Sequence, residues 1–160
     1  MNASDDAITE DTEVLHGIED VTKAILQFYG RTKIRYDFCM DSTAPSFPLE
    51  FQAILEALLN LENKGVNMRI VTEITKDNIN SCKEIMKVAD VRNLDGIKGS
   101  FRLSEREYIA TPLLQEVHPL PQLIYSNLRR VVEAQQMYLI VFGTKAYQLN
   151  KGLETLKEER

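Results

Sequence analysis

The stretch IKGSFRLSEREYIATPLL, residues 97–114, is the part of the chain from which the fold is best inferred. Its two arms read as strands, and the charged turn Glu105-Arg106-Glu107 separates them. Two short strand patterns joined by a tight polar turn predict an antiparallel β-hairpin.

Upstream of this hairpin, strand patterns alternate with helical patterns. The predicted strands are KIRYDFCM (33–40), VNMRIVTEI (66–74) and ADVRNL (89–94), and the helices between them are LEFQAILEALLNLENKG (49–65) and NINSCKEIMKV (78–88). Such alternation indicates parallel strands covered by helices on both faces. We therefore predict an α/β fold, a three-layer α/β/α arrangement with a mostly parallel sheet that ends in an antiparallel hairpin.

The two ends of the chain complete this prediction. Apolar residues recur at three- and four-residue steps from Glu13 to Phe28, which predicts a first helix that Gly30 ends. After the strand QLIYS (122–126), a long last helix is predicted over about residues 127–148. We expect a disordered tail over 1–11, one domain over 12–148 and a charged helical extension over 149–160.

Composition excludes several classes of protein at this stage. The net charge is -5 and the positive charges are scattered, so we expect no nucleic acid as a partner. No apolar run approaches the roughly 20 residues needed to cross a bilayer, and the start of the chain is acidic, so we expect no membrane segment and a cytoplasmic location. Cys39 and Cys82 form no metal-binding cluster, and no metal or cofactor is expected.

Four stretches carry a resemblance to a known family: RTKIRYDFCMDSTAPS (31–46), VNMRIVTEITKDNINSCKEIMKVADVRNLDGIKGSF (66–101), SEREYIA (104–110) and QLIYSNLRRVVEAQQMYLIVFGTKA (122–146). They resemble the N-terminal input domain of sensor histidine kinases from ammonia-oxidising archaea (Thaumarchaeota). The order of elements resembles single-repeat phospholipase D-like domains, above all the non-catalytic versions found in archaeal transcription regulators. The segment 149–160 shows no phosphoacceptor helix or ATP-binding motif, so we expect a free-standing input domain.

The resemblance also implies what an active site would need. Active phospholipase D-like enzymes use a histidine nucleophile, a lysine two residues later and an acidic residue further along. At that spacing this chain has Ser100, Arg102 and Glu107, and neither His16 nor His118 opens the motif. We therefore expect no enzyme activity. Arg102 and Glu107 are either ligand-binding residues, with the arginine gripping an anion, or exposed cross-strand charges.

A second candidate site lies where the predicted parallel strands end. Ligands of open parallel sheets sit beyond the carboxyl ends of the strands, where helix N-termini present free N–H groups. The predicted ligand-binding residues there are Cys39, Asp41, Ser42, Thr43, Ser46, Thr72, Glu73 and Asn78. They suit a small polar ligand or a cation, or else the hydroxyls merely cap helices.

The last helix points to a relay function. The run MYLIVF (137–142) is apolar around most of the helix, which favours either deep packing on the sheet or a partner helix. We expect a non-catalytic sensory domain that binds an unknown small molecule at the strand ends and relays it through the terminal helices. The expected partners are a second copy joined through those helices and a histidine kinase or transcription regulator. The alternatives are an adaptor without a ligand and a degenerate phosphodiesterase that acts as a dimer.

Overall fold

The computed structural model describes residues 9–111, 122–145 and 147–148. For residues 47, 48 and 142 onwards it describes the backbone alone. In chain order the elements are β1 (Thr12–His16), α1 (Ile18–Arg31), β2 (Arg35–Met40), a 3₁₀ turn (Ala44–Ser46), α2 (Phe47–Glu50), α3 (Gln52–Asn63), β3 (Asn67–Thr72), α4 (Ile79–Ile85), β4 (Asp90–Asn93), β5 (Ser100–Ser104), β6 (Tyr108–Thr111), β7 (Gln122–Ser126), α5 (Arg129–Lys145) and β8 (Tyr147–Gln148).

All the described strands form one sheet in the order β1-β7-β6-β5-β2-β3-β4-β8. Only β2 with β3 and β3 with β4 are parallel, and the other five pairs are antiparallel. The prediction of a mostly parallel sheet is therefore wrong, while the mixed α/β class and the antiparallel hairpin are confirmed. Helices connect only β2, β3 and β4, and antiparallel pairs add the strands on either side of these three.

The N-terminal segment differs most clearly from the predicted secondary structure. Residues 12–16 form an edge strand paired with β7, and α1 begins only after Gly17, which has φ of 90°. The apolar pattern from Glu13 predicted a single helix where the structure has a strand and a helix. Val14 lies on the strand, but its spacing matches the apolar stripe of the helix. Gly30 lies inside α1, and the helix ends at Arg31 with Thr32 donating its hydroxyl to the Phe28 carbonyl oxygen at 2.8 Å.

The main core lies between one face of the sheet and helices α1 and α3. An aromatic cluster of edge-to-face and tilted rings forms its centre, with ring centroids 5.4 to 6.2 Å apart. Its members are Phe28, Tyr29, Tyr36 and Phe38. Helix α3 adds buried Ile54, Leu58 and Leu61 from a repeating three- and four-residue spacing.

Among the described residues, α5 packs on the opposite face over part of its width. Val132 and Leu139 pack on Cys39 and Leu103, and this is a smaller cluster than the main core. The outer side of α5 leaves Met137 70% and Ile140 64% exposed. The helix stops at Lys145 instead of 148, since residues 147–148 pair with β4. Among the described helices, none has the length and apolar character to span a bilayer.

Candidate functional site

The C-terminal ends of strands β2 and β3 bring part of the predicted rim together. The Asp41 carboxylate accepts a hydrogen bond from the Thr43 amide at 2.9 Å and another from the Thr43 hydroxyl. Ser100 Oγ lies 3.4 Å from the second Asp41 oxygen, and Thr72 Oγ1 donates to the Asp41 carbonyl oxygen at 3.3 Å. Asp41 is only 6% exposed, so its polar atoms serve the chain itself.

Asn78 ties the neighbouring loops together at the same edge. Its side-chain nitrogen donates to the Ser42 and Glu73 carbonyl oxygens, both at 2.8 Å, and its side-chain oxygen accepts from the Thr75 amide at 2.9 Å. The Glu73 carboxylate accepts from the Gly96 amide at 3.0 Å. The rim is thus a network of bonds between loops, a geometry that holds loops in place.

Two residues of the predicted rim lie apart from this network. Cys39 points to the opposite face of the sheet, under α5, where burial raises the pKa of its thiol to about 12. Burial likewise raises the pKa of the Cys82 thiol to about 11, so both thiols stay protonated near neutral pH. Ser46 lies in the 3₁₀ turn and makes no capping bond with its side chain.

The three hairpin residues at the spacing of a catalytic motif do not converge. Ser100 joins Asp41 at one end of the sheet, whereas Glu107 lies at the opposite end, beyond the turn. Arg102 is 4% exposed and stacks on the Phe38 ring, with its guanidinium carbon 4.1 Å from the ring centroid. Histidine offers no substitute nucleophile in the described chain, because His16 is exposed on the edge strand β1; His118 lies outside the described residues.

Arg102 is a buried cation with incomplete hydrogen bonding. Its Nε and Nη1 atoms have no hydrogen-bond partner among the described residues. Burial alone would lower the pKa of Arg102, but the hydroxyl oxygens of Tyr29 and Tyr36 raise it above its usual value. The guanidinium therefore stays charged inside the aromatic cluster, next to two hydroxyls that lie 3.2 Å apart.

A groove of about 1010 Å³ opens at the turn end of the hairpin. We call it the hairpin groove, and its walls come from the end of α1, the turn between β5 and β6, strand β7 and the first turns of α5. The residues that line it are Glu10, Gly30, Arg31, Lys33, Ile34, Glu105, Arg106, Glu107, Tyr125, Asn127, Arg129, Val132, Glu133 and Gln136. Its volume is at the upper end of the range of small-molecule pockets, and it is open to solvent on one side.

Glu107 is the buried anchor of the hairpin groove. Its Oε1 accepts from Arg31 Nε at 2.8 Å and from the Tyr125 hydroxyl at 2.7 Å, and Arg31 Nη2 lies 2.6 Å away. The hydrogen bond to Glu107 raises the pKa of Arg31, and burial followed by the same carboxylate raises the pKa of Tyr125. This triad connects α1, the hairpin turn and β7 through charge-assisted hydrogen bonds.

Glu105 lies in the floor of the hairpin groove, beside this triad. Its carboxylate accepts from the amides of Lys33, Ile34 and Arg35 at 2.9, 3.3 and 3.4 Å. Burial would raise the pKa of Glu105, but these amides and its own amide lower it below the usual value. A carboxylate bound by several N–H groups stays ionised, so Glu105 is an anion at neutral pH.

Of the predicted binding residues, only Glu107 lines the hairpin groove. The sequence held one further signal, the basic pair Arg31 and Lys33 placed just before a strand opposite an acidic turn. That signal could not be interpreted without knowing that β2 pairs with β5, which brings residues 33–35 beside Glu105.

Comparison with solved structures shows that this mixed α/β fold is similar to phospholipase D-like folds. NucT from Helicobacter pylori superposes with a TM-score of 0.70 at 9% identity, covering 88% of this chain and 100% of the other. Phosphatidylserine synthase from Haemophilus influenzae Rd KW20 gives 0.53 at 12% identity, over 83% of this chain and 38% of the other.

A third similar structure is TrmBL2, an archaeal chromatin protein described as showing a novel mode of DNA binding. It superposes with a TM-score of 0.65 at 15% identity, covering 92% of this chain and 57% of the other, so this chain spans little more than half of that protein. The likeness contradicts the expectation of no nucleic-acid partner, because the same fold occurs in a protein described by its DNA binding. Protein-family models and curated proteins gave no match.

Proposed function

We propose that this chain is a non-catalytic regulatory domain that binds a small polar ligand in the hairpin groove and transmits occupancy through α5. The observation that carries the proposal is the hairpin groove itself, about 1010 Å³ in volume and lined by four separate elements. The sequence resemblance to input domains of sensor histidine kinases supports the same role. The strand-end rim is a weaker site, since its polar atoms bond to each other.

The chemistry of the hairpin supports a role without turnover. A serine stands where the resemblance places the histidine nucleophile, and its 3.4 Å contact with Asp41 is at the long limit of a hydrogen bond. Arg102, at the lysine position, is buried on Phe38 and is always charged, so it cannot act as a general base. A nucleophile needs an adjacent base that takes its proton, and no histidine supplies one in the described residues.

The contacts of helix α5 support a relay role in this proposal. Val132 and Gln136 line the hairpin groove, and Gln136 donates to the Ser104 carbonyl oxygen at the hairpin turn at 3.5 Å. A ligand that contacts both α5 and the turn would make different contacts if α5 moved relative to the turn. Such differential affinity is sufficient to shift a population between the two positions.

Gly30 provides the test of this proposal. A Cβ atom at this position would meet nothing within 4 Å, so Gly30→Trp can project into the hairpin groove without displacing the core. Gly30→Ala is the matched control, because it fills almost none of the space. In a thermal-shift screen of metabolites we expect at least one to stabilise wild type and Gly30→Ala; at 100 times its Kd this adds about 2.7 kcal/mol.

The same metabolite should not stabilise Gly30→Trp. Equal stabilisation of all three proteins would place the ligand outside the hairpin groove. A flat screen on wild type would favour the alternative of an adaptor that has no ligand of its own.

A second candidate function is binding to a nucleic-acid backbone by strands β2 to β4. The likeness to the chromatin protein favours it, together with three arginines on the face beside α5. Arg35, Arg69 and Arg92 have partly exposed side chains, at 32%, 43% and 31%. Their positive charge is reduced by ion pairs to Asp37 and Asp90, which is why we place this function second.

A further inference from the structure

Three consecutive backbone amides converge on one carboxylate in the floor of the hairpin groove. The N–H groups of residues 33–35 all point to Glu105, which is supplied by the hairpin turn and not by β2 itself. Converging backbone amides form a concave site for oxyanions, as they do for phosphate in many proteins. The chain therefore contains an anion-binding site that one of its own side chains occupies.

The charges around these amides remain favourable to an anion when Glu105 is set aside. Lys33 and Arg106 line the hairpin groove, and their side chains make no hydrogen bond or ion pair with any described residue. Of the other three carboxylates that line the groove, Glu107 pairs with Arg31, Glu133 pairs with Arg129, and Glu10 accepts a hydrogen bond from the Arg129 amide. Two cations without an ion pair to any described residue thus line the groove in which the Glu105 carboxylate meets the three amides.

We infer that the ligand of the hairpin groove carries an oxyanion, a phosphate or a carboxylate, and that this oxyanion displaces Glu105 from the amides of residues 33–35. The inference rests on the proposed function and names the class of its ligand. Glu105 serves as an internal stand-in for the ligand, holding the amides satisfied while the hairpin groove is empty. With an intramolecular competitor of this kind, the apparent Kd equals the intrinsic Kd divided by the fraction of time that the amides are free.

Displacement of Glu105 from the amides also gives the protein two states, as a signal relay requires. With Glu105 on the amides, the hairpin turn is fastened to the start of β2. With an oxyanion there, this fastening is lost, while Ser104 of the same turn still accepts the bond from Gln136 of α5. Ligand binding therefore changes the restraint on the segment to which α5 is attached.

The test is a titration of ¹⁵N-labelled protein followed by NMR. Sodium pyrophosphate and sodium succinate are the two oxyanion probes, and choline chloride at matched ionic strength is the cation control. We expect the amide resonances of Lys33, Ile34 and Arg35 to move saturably with an oxyanion and not with choline. In Glu105→Gln the same shifts should saturate at about tenfold lower concentration, since an uncharged amide competes less well for N–H groups than a carboxylate.

Glu62→Gln is the matched control, because Glu62 is exposed on α3 and the substitution removes the same charge away from the hairpin groove. It should bind each probe as wild type does. If Glu105→Gln fails to fold, Glu105→Asp, whose shorter side chain reaches the amides less well, should show the same direction of change.

The outcomes separate this inference from the proposed function. Absence of saturable shifts at residues 33–35 with both oxyanions, or equal affinities in wild type and Glu105→Gln, would overturn the inference. A neutral or cationic metabolite that stabilises wild type but not Gly30→Trp would overturn the inference and leave the proposed function standing. Oxyanion binding at residues 33–35 that Gly30→Trp leaves unchanged would support the amide site and contradict the proposed ligand position.

Discussion

Arg102 stands where the sequence resemblance places a catalytic lysine, and its side chain is buried. The hairpin spacing puts it two residues after Ser100, as the resemblance requires, but its side chain lies on Phe38 inside the main core. A buried cation usually has a carboxylate partner, whereas Arg102 has hydroxyls nearby and two nitrogens without a hydrogen bond. Sequence spacing drew attention to this residue but could not predict its burial or its surroundings.

Replacing Arg102 with methionine tests whether this cation is needed for folding. Met keeps the apolar stem that packs on Phe38 and removes a charge that is incompletely solvated, while Tyr29 and Tyr36 can still bond to each other. We expect the free energy of unfolding in urea to be unchanged or higher by about 1 kcal/mol. Arg102→Ala should instead lower it by roughly 2–4 kcal/mol, because it leaves a cavity in the core.

A loss of more than about 2 kcal/mol in Arg102→Met would contradict this interpretation, since such a loss is typical of breaking a buried charge pair. It would mean that the guanidinium has a stabilising partner beyond the two hydroxyls.

At the level of elements, periodicity predicted most strands and helices and failed where two patterns overlap. The buried strand β3 follows from a short apolar run, and helix α3 follows from a clear apolar stripe. Residues 12–16 were predicted as part of the first helix. As an edge strand with a single partner strand, they show little alternation of buried and exposed residues that would distinguish a strand from a helix. The hairpin groove lay beyond prediction for another reason, since it depends on the pairing of elements that are far apart in sequence.

The face formed by β2, β3 and β4 carries its own prediction about nucleic acid. If Arg35, Arg69 and Arg92 contact phosphates, binding of a fluorescent 20-base-pair duplex should weaken with salt. The slope of log K against log salt should be about -2 to -3, as counterion release predicts for two to three contacts. Fluorescence anisotropy at several salt concentrations measures this slope.

Arg69→Gln should reduce that slope by about 1, while its amide can still donate to Asp37. Lys64→Ala, at the end of α3, removes one positive charge elsewhere and should leave the slope unchanged. No binding at low salt, or an equal effect of the two substitutions, would exclude this face as a DNA-binding surface.

At the level of the whole molecule, the sequence predicted the α/β class and the phospholipase D-like likeness, and it predicted the sheet direction incorrectly. Three strands joined by helices suggested a parallel sheet, yet β1 and β7 complete an antiparallel half that depends on pairing between residues 12–16 and 122–126. Such non-local pairing leaves no periodic signal. The fold is shared with enzymes and with a chromatin protein, so it does not by itself determine function.

The central proposal is that this chain, whose fold is similar to those of NucT and phosphatidylserine synthase, binds a ligand without forming a covalent bond to it. Intact-mass spectrometry after incubation with bis(p-nitrophenyl) phosphate, alongside release of p-nitrophenol, tests it most directly. We expect an unchanged protein mass and no release above the uncatalysed rate, in wild type and in Ser100→Ala alike. A phosphorylated species, or turnover that Ser100→Ala abolishes, would contradict the claim.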